Sequence, residues 1–393
     1  MRMNTFKLEL GSTRVIVADP RAAAPYYRGT RFDRTGIILS LESGGHRYIQ
    51  PWQRHYDPYS HDAVSGPAEE FLPITFDGGG ARAASGVTQP QRSEDGRSRM
   101  WVGSTATANW LKIGVGLLRD DGEPYDRFKL YDILDPGEMA VTIGKTPETG
   151  AAGLASGVTQ PQRSENGRSR NRSLPAGPEP VGVTFRHKLP GCYDYVKTVE
   201  IPAEGRLRLT HALRNDSPAP IDTYVYCHNF FILDGAPTGR ATRFDFPFRH
   251  VGDWRAPYDS VRLTDRGIAF DRDLAPTETV FMGNLRPASD ETDAPLSFLL
   301  PNKAVGSTNP AQNDLPTTMP GSSMHTDKEA GYRFTLRNLE NGLRVEAACD
   351  RPMEYAVFWS NSDVSCLEPY LPIHLNPGQT ARWALDYHFL SGA

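Results

Sequence analysis

Short runs in which apolar and polar residues alternate recur along the chain, and they restrict the fold more than any other feature of the sequence. Clear examples are "RLRLTHAL", "GYRFTLRNL", "GLRVEAAC", "EYAVFWS" and "ARWALDYHFL". Successive side chains of a strand point to opposite faces, so this alternation predicts half-buried β-strands. Glycine (36 residues) and proline (32 residues) interrupt the runs often, and long amphipathic helix patterns are scarce. We therefore predict an all-β fold, a large antiparallel β-sandwich in which residues 1–393 form a single domain.

Turn signals and composition support this class of fold and exclude several functions. The pair Asn341–Gly342 stands between two alternating runs and predicts a hairpin. The formal net charge of -4 gives no electrostatic reason to expect a nucleic acid or a membrane surface as partner. No apolar run approaches the roughly 18–20 residues of a spanning helix. The N-terminal segment lacks the apolar region of a signal peptide, so we expect a cytoplasmic protein.

The four cysteines show no CxxC spacing, so neither a disulfide framework nor a zinc motif is predicted. One internal repeat is present: "ASGVTQPQRSEDGRSR" (84–99) recurs as "ASGVTQPQRSENGRSR" (155–170). A composition so poor in apolar residues cannot form a core, so we predict two duplicated, flexible loop insertions. A pair of basic loops that contacts a partner or borders a pocket remains the alternative.

An ionisable ring interrupts the apolar stretch "YCHNFFIL". In a strand, Tyr226, His228 and Phe230 share one face, whereas Cys227 and Asn229 lie on the other. His228 could be a core histidine with satisfied hydrogen bonds or a proton donor that faces a pocket.

A glutamate raises the same question near the C-terminus. In "SCLEPYLPIHL", Glu368 precedes a proline, which favours extended backbone, and apolar neighbours would remove it from water. Burial raises the pKa of a carboxylate and a cationic partner lowers it, which is how a general base is tuned. An exposed loop glutamate remains the alternative.

Both stretches resemble the galactose mutarotase (aldose 1-epimerase) superfamily. "CHNFFIL" is similar to the N-H-x-Y-F-N-L stretch of that family in its histidine, second aromatic residue and leucine. "CLEPYLPIHLNPGQTARWALDYHF" is similar to the family's C-terminal L-E stretch, P-G-E/Q turn and final aromatic strand. "YYRGTRFD" and "GPAEEF" resemble a divergent bacterial branch described as aldose-epimerase-like.

The resemblance implies an isomerase that interconverts the anomers of a small sugar. Glu368 would take the proton of the anomeric hydroxyl, and His228 would give a proton to the ring oxygen. It implies no metal, nucleotide or other cofactor, and a pocket on the concave face of the larger sheet. The oligomeric state is left open.

The sequence departs from the family where a second sugar-binding histidine is expected, because it contains no His-Gly pair. The candidates for contacts to the sugar are instead polar and aromatic residues within or near the stretches quoted above: Arg28, Arg31, His61, Glu69, Glu70, Asn229, Asp234 and Tyr370. A metal site could be drawn from the stretch that holds His46, His55, Asp57, His61 and Glu69, but none of these spacings is diagnostic, so no metal is predicted.

Two other functions remain open from the residues alone. Additional carboxylates would suit a tautomerase, isomerase or lyase that removes a carbon-bound proton from a keto-sugar. A non-catalytic carbohydrate-binding protein is the second alternative, with aromatic rings as stacking surfaces: Trp52, Trp101, Tyr226 and Trp359.

Overall fold

The computed structural model describes residues 4–53, 55–76, 109–144, 181–288 and 331–392. The repeated stretches at 84–99 and 155–170, and with them Trp101, lie outside the described residues. The described part of the chain contains strands and turns but no α-helix. Accordingly, it contains no helix with the length and apolar character needed to cross a bilayer.

The strands of the first part of the chain have 3 to 6 residues, and those of the second part have 4 to 11. The first part contains β1 (Thr5–Leu10), β2 (Thr13–Ala18), β3 (Ile38–Ser43), β4 (His46–Ile49), β5 (Ala68–Phe71), β6 (Ile74–Phe76), β7 (Asn109–Lys112), β8 (Gly116–Leu118), β9 (Ile133–Asp135) and β10 (Glu138–Ile143). The second part contains β11 (Val181–Leu189), β12 (Tyr193–Ile201), β13 (Arg206–Asn215), β14 (Ile221–His228), β15 (Thr242–Asp245), β16 (His250–Trp254), β17 (Val261–Thr264), β18 (Gly267–Phe270), β19 (Thr279–Pro287), β20 (Arg333–Asn338), β21 (Arg344–Cys349), β22 (Tyr355–Asn361), β23 (Ser365–Leu375) and β24 (Thr380–Leu390).

Two sheets form the body of the fold. The wide sheet has ten strands in the order β10-β11-β12-β13-β24-β21-β20-β15-β18-β17, and the narrow sheet has six in the order β16-β19-β22-β23-β14-β5. Two further sheets of four strands each follow the orders β1-β2-β3-β4 and β6-β7-β8-β9. The strand pairs are antiparallel throughout the described residues. The prediction of an all-β antiparallel sandwich is confirmed.

The main core lies between the wide and narrow sheets and follows the alternation of the sequence. The Phe71 ring of β5 contacts Tyr195 of β12 edge-on at 5.4 Å, and Phe244 of β15 contacts Phe358 of β22 at 5.3 Å. All four rings are fully or almost fully buried. Burying an aromatic side chain of this size contributes about 1.5–3 kcal/mol, so these cross-sheet contacts fix the two sheets against each other.

The hairpin predicted at Asn341–Gly342 is present, with a longer turn than the pair alone suggests. β20 and β21 end at Asn338 and begin at Arg344, which leaves five residues between them. The Asn338 side chain accepts hydrogen bonds from the backbone N–H groups of Glu340 and Asn341, and Gly342 has a φ of 72°. Glycine takes this left-handed conformation without a steric penalty, so the Asn-Gly signal marks the point at which the chain reverses.

Candidate functional site

Three adjacent strands of the narrow sheet bring His228, Glu70 and Glu368 together. On β14, Tyr226 pairs with Glu70 of β5 on one side and with Tyr370 of β23 on the other. His228 lies two residues beyond Tyr226, and Glu368 lies two residues before Tyr370 on the antiparallel neighbour. Side chains two residues apart share a face, so all five project from the outer face of the narrow sheet, away from the main core.

The sequence-based expectation that the pocket lies on the larger sheet is wrong. β14 and β23, which hold His228 and Glu368, belong to the narrow sheet. Their inward-facing residues, among them Cys227 and Leu367, pack in the main core against the wide sheet. The alternation of the strands therefore turns His228 and Glu368 to the opposite side.

The imidazole of His228 lies between two carboxylates. Its Nε2 is 3.1 Å from Oε2 of Glu70, and its Nδ1 is 3.0 Å from Oε1 of Glu368. The first contact is a hydrogen bond. In the second, the atoms are close but not aligned for a hydrogen bond, and Nδ1 has no hydrogen-bond partner among the described residues. The ring is therefore fixed on one side and keeps a free polar atom on the other.

These three side chains are almost completely shielded from solvent. The side chains of His228 and Glu70 are 1% and 0% exposed, whereas that of Glu368 is 8% exposed. The ring of Phe32 meets the His228 ring edge-on at 4.8 Å. The segment before β5 also packs directly on β14, because a Cβ at Gly66 would lie 2.3 Å from the backbone nitrogen of Phe230. Only glycine fits at that position.

Cationic side chains surround Glu70 and keep it ionised. Nε of Arg31 donates to Oε2 of Glu70 at 2.7 Å, and Nζ of Lys112 is 3.9 Å from Oε1. Nη1 of Arg127 donates to the Tyr226 hydroxyl at 2.7 Å. Burial opposes the charge of Glu70, but the charges of Arg31 and Arg127 and the hydrogen bond from His228 outweigh it, so the pKa of Glu70 lies well below its usual range.

Lys112 is a second unusual group beside this carboxylate. Its side chain is fully buried, and Nζ donates a hydrogen bond to the carbonyl of Phe71 at 2.6 Å. Burial lowers the pKa of Lys112 to about 7, although the charge of Glu70 acts in the opposite direction. An amine with this pKa exchanges protons near neutral pH, which ordinary lysines do not.

The partly exposed side of the site is formed by Arg31 and two neighbours. The Arg31 guanidinium lies over the rings of Phe32 and Phe128 at 4.8 and 5.2 Å, and its side chain is 11% exposed. His61 contacts Phe128 edge-on at 4.9 Å. Burial lowers the pKa of His61, and Asp62 acts against this. Arg31 thus contacts Glu70 directly, and His61 shares the Phe128 ring with it.

Glu69 and Glu70 are neighbours in the chain but face opposite sides of the sheet. Glu69 pairs with Lys197 and accepts from Nε2 of His211 at 3.0 Å, inside the main core. Nζ of Lys197 is also 3.8 Å from Oδ2 of Asp33. Burial opposes the charge of Glu69, but Lys197 and His211 lower its pKa to about 2. Glu69 thus anchors β5 to the wide sheet while Glu70 faces the site.

Two other predicted sugar-contacting residues lie away from His228. The Asn229 amide donates to the carbonyls of Cys227 and Leu367 at 3.0 and 2.8 Å, and its oxygen accepts from the Tyr387 hydroxyl at 2.9 Å. Its side chain is directed into the main core. Asp234 stands in a surface turn, where it accepts from Nδ1 of His46 at 2.7 Å.

The two remaining candidates are held by aromatic contacts. Nη1 of Arg28 donates to the Tyr59 hydroxyl at 2.9 Å, and its guanidinium lies over the same ring. Tyr370 is fully buried and stacks on Tyr226 and Tyr355, with ring centroids 4.0 and 4.6 Å apart. Tyr370 shares the outer face of the narrow sheet with Glu368, whereas the contacts of Arg28 are to Tyr59.

The ligand-type residues of the polar stretch near His55 do not form a cluster. His46 is bound to Asp234, and Glu69 is directed into the core. Within the described residues, three metal-ligand atoms converge only at His228, Cys366 and Glu368, where they lie within 4.8 Å of one another.

Sequence reasoning missed Lys112 and Arg127. Lys112 interrupts the apolar run "WLKIGVGLL" in the same way that His228 interrupts its strand, so the signal was present. Arg127 stands in the polar segment "EPYDRFKL", where nothing distinguishes it from a solvated arginine. Only the folded chain brings it to the Tyr226 hydroxyl.

Comparison with known proteins adds three similar solved structures. No family model matches the chain, and no curated protein matches it. The chain is similar to the Slr1438 protein from Synechocystis (12% identity, 100% of this chain and 97% of that one, TM-score 0.47). It is similar to a candidate aldose 1-epimerase from Escherichia coli K12 (10% identity, 100% of both chains, TM-score 0.47).

The third structure is a galactose mutarotase-like protein from Clostridium acetobutylicum (10% identity, 99% of this chain and 96% of that one, TM-score 0.46).

Proposed function

We propose that the chain is a carbohydrate-converting isomerase of the aldose 1-epimerase type, which opens and recloses a sugar ring by general acid/base catalysis. The observation that carries the proposal is the position of His228 between Glu70 and Glu368, with ring nitrogens 3.1 and 3.0 Å from the two carboxylates. Anomer interconversion requires one acid and one base that flank the anomeric centre, and His228 and Glu368 offer such a pair in a shielded site.

Each group has a separate role in this reaction. Glu368 accepts the proton of the anomeric hydroxyl, and His228 gives a proton to the ring oxygen. The ring opens, the bond between C1 and C2 rotates, and the reverse transfers close the ring to the other anomer. Proton-transfer groups of this kind contribute roughly 10²–10⁴-fold each.

Glu70 orients the acid rather than contacting the sugar. As an ionised acceptor it holds a proton on Nε2 of His228, so the proton that the doubly protonated ring gives to the sugar is the one on Nδ1, the nitrogen that faces Glu368. A buried carboxylate that fixes the ring and stabilises the charged imidazolium is a recurring support for catalytic histidines. Arg31 in turn holds Glu70.

The sugar enters from the side on which Glu368 and Arg31 remain partly exposed to solvent. Glu368 and Arg31 are 8% and 11% exposed, whereas His228 and Glu70 are fully shielded. Since Nδ1 of His228 and Oε1 of Glu368 are only 3.0 Å apart, the Glu368 side chain moves away from the ring when a sugar binds between them. Arg31, which borders the same partly exposed side, is the group placed to bind a sugar hydroxyl.

The experiment is proton NMR of freshly dissolved α-glucose and α-galactose with catalytic amounts of protein. The anomeric equilibrium is expected to be reached faster than in buffer, and Glu368→Gln is expected to abolish the acceleration. Glu42→Gln is the matched control, because Glu42 lies on the surface with 39% of its side chain exposed. Relaxation at the buffer rate would contradict the proposal. Wild-type protein that binds the sugar without accelerating its relaxation, with binding that survives Glu368→Gln, would instead identify a carbohydrate-binding protein.

A second candidate function is removal of a carbon-bound proton from a keto-sugar, as in a tautomerase, isomerase or lyase. Lys112 favours it, because a buried amine with a pKa of about 7 beside Glu70 adds a group able to exchange protons at neutral pH. A panel of keto-sugars incubated in D₂O tests it. Incorporation of deuterium at carbon, lost in Lys112→Met or Glu368→Gln, would favour this candidate over anomer interconversion.

A further inference from the structure

Three side chains on the outer face of the narrow sheet direct metal-ligand atoms at one point. Cys366 and Glu368 are alternate residues of β23 and share a face, and His228 lies beside them on β14. A nitrogen of His228, Sγ of Cys366 and a carboxylate oxygen of Glu368 all lie within 4.8 Å of one another, and all three residues are buried. Isolated surface carboxylates do not produce such an arrangement.

The histidine of this group is prepared as a ligand. Its Nε2 is hydrogen-bonded to Glu70, which fixes the ring and leaves the lone pair to Nδ1. Nδ1 is buried, has no hydrogen-bond partner among the described residues, and lies 3.0 Å from Oε1 of Glu368. Metal-binding histidines usually donate their second N–H to a carboxylate, and that carboxylate keeps the tautomer and the orientation required by the ion. Arg31 holds Glu70 in place for this role.

We propose that His228, Cys366 and Glu368 bind one divalent ion of the zinc type. Imidazole, thiolate and carboxylate together are a ligand set that suits Zn²⁺ and its neighbours in the first transition row, whereas Mg²⁺ and Ca²⁺ prefer oxygen alone. Burial raises the pKa of the Cys366 thiol well above its usual range, so the ion has to displace the thiol proton, which leaves to solvent as the ion binds. Three protein ligands leave a fourth position for water or another small ligand.

This inference goes beyond the proposed isomerase and competes with it. A bound ion occupies Nδ1 of His228 and an oxygen of Glu368, which are the atoms that the acid/base reaction uses. The ion is therefore expected to inhibit anomer interconversion, and removal of the ion by a chelator is expected to restore it. Because ion binding is measured without any sugar, it is decided independently of whether the isomerase activity exists.

The test is a titration of chelator-treated full-length protein with Co²⁺, followed by absorption spectroscopy and calorimetry. A tetrahedral Co²⁺ site with a thiolate ligand gives intense visible bands and a near-ultraviolet sulfur-to-cobalt band. Both are expected at about one ion per chain. Cys366→Ser is expected to remove the sulfur band, and Cys192→Ser, which alters a buried cysteine outside the group, is expected to keep it.

Two further variants keep the test valid if Cys366→Ser does not fold. Glu70→Gln leaves all three ligands in place and is expected to weaken Co²⁺ binding about 10–100-fold through loss of the partner of Nε2. Glu368→Gln is expected to weaken binding while preserving the sulfur band. The proposal is overturned if the wild-type protein gives no sulfur band, or if the band survives Cys366→Ser or disappears in Cys192→Ser. Co²⁺ affinity that is unchanged in Glu70→Gln and Glu368→Gln would also overturn it.

Discussion

Replacement of Glu70 by glutamine tests the centre of the buried charge group on the narrow sheet. The substitution keeps the shape of the side chain and removes its charge. Glu70 is 0% exposed, with Arg31 at 2.7 Å, His228 at 3.1 Å and Lys112 at 3.9 Å. Glutamine can still accept one hydrogen bond, but the positive charge of Arg31 then has no ionised partner at Glu70.

The expected loss of stability follows from the geometry. Removing one partner of a buried ion pair costs about 3–5 kcal/mol, because the remaining charge stays out of water. Two features place Glu70→Gln at the lower end of that range. Arg31 is 11% exposed and can turn toward solvent, and Lys112, with a pKa already lowered to about 7, can release its proton. We therefore expect the free energy of unfolding to fall by about 3 kcal/mol.

Urea unfolding followed by circular dichroism measures this change, with Glu42→Gln as the control. Glu42 pairs with Arg47 on the surface at 3.3 Å, and such a pair contributes at most about 1 kcal/mol. If the chain has the proposed isomerase activity, the anomer interconversion rate of Glu70→Gln is also expected to fall, by roughly 10²-fold or more, because His228 loses the carboxylate that orients its ring. A Glu70→Gln protein as stable as Glu42→Gln, with an unchanged rate, would refute the reasoning.

Three other predictions concern the main core. Lys197→Met leaves Glu69 buried without its cationic partner, so we expect unfolding free energy to fall by about 3–5 kcal/mol; a loss below 1 kcal/mol in urea unfolding would contradict this. Because the folded pKa of Glu69 is about 2 against an ordinary 4.5, its contribution to stability is present above pH 4.5 and is lost as the pH falls toward 2. Unfolding curves of wild type and Glu69→Gln should therefore converge over that interval, and a constant difference would count against it. Asn229→Ala removes the partners of two buried carbonyls and of the Tyr387 hydroxyl. We therefore expect the free energy of unfolding to fall by about 1–3 kcal/mol, with a nearly unchanged rate of the proposed anomer interconversion. A stable Asn229→Ala protein with a rate reduced tenfold or more would instead assign Asn229 to the site.

Much of the fold could be predicted because strand alternation is a local property. The run "RLRLTHAL" lies within β13, and "ARWALDYHFL" lies within β24. In both, every second residue is buried and most of these residues are apolar, with the polar His211 as an exception on β13. The same alternation correctly separated Tyr226 and His228 from Cys227 on β14. Burial of apolar side chains produces this alternation, so the strands can be predicted without knowledge of the strands with which they pair.

The site could be predicted only in part from the sequence, for physical reasons that differ between residues. His228 and Glu368 interrupt apolar stretches, so the sequence marks them as buried polar groups that need partners. Glu69 and Glu70 are adjacent and chemically identical, and the sequence does not indicate which of them faces the core. Arg127 joins the group from a polar segment, where a charged residue carries no signal.

The sequence by itself determined the all-β class, most strand positions and the polar residues that could not remain unpaired in a core. Only the tertiary structure decided which sheet holds the site and which charges meet there. Glu70, His228 and Glu368 are far apart in the chain. They meet because β14, which holds His228, lies between β5 and β23 in the narrow sheet. Hydrophobic periodicity specifies which face of a strand is buried, but hydrogen-bonded pairing between distant strands specifies which polar side chains become neighbours.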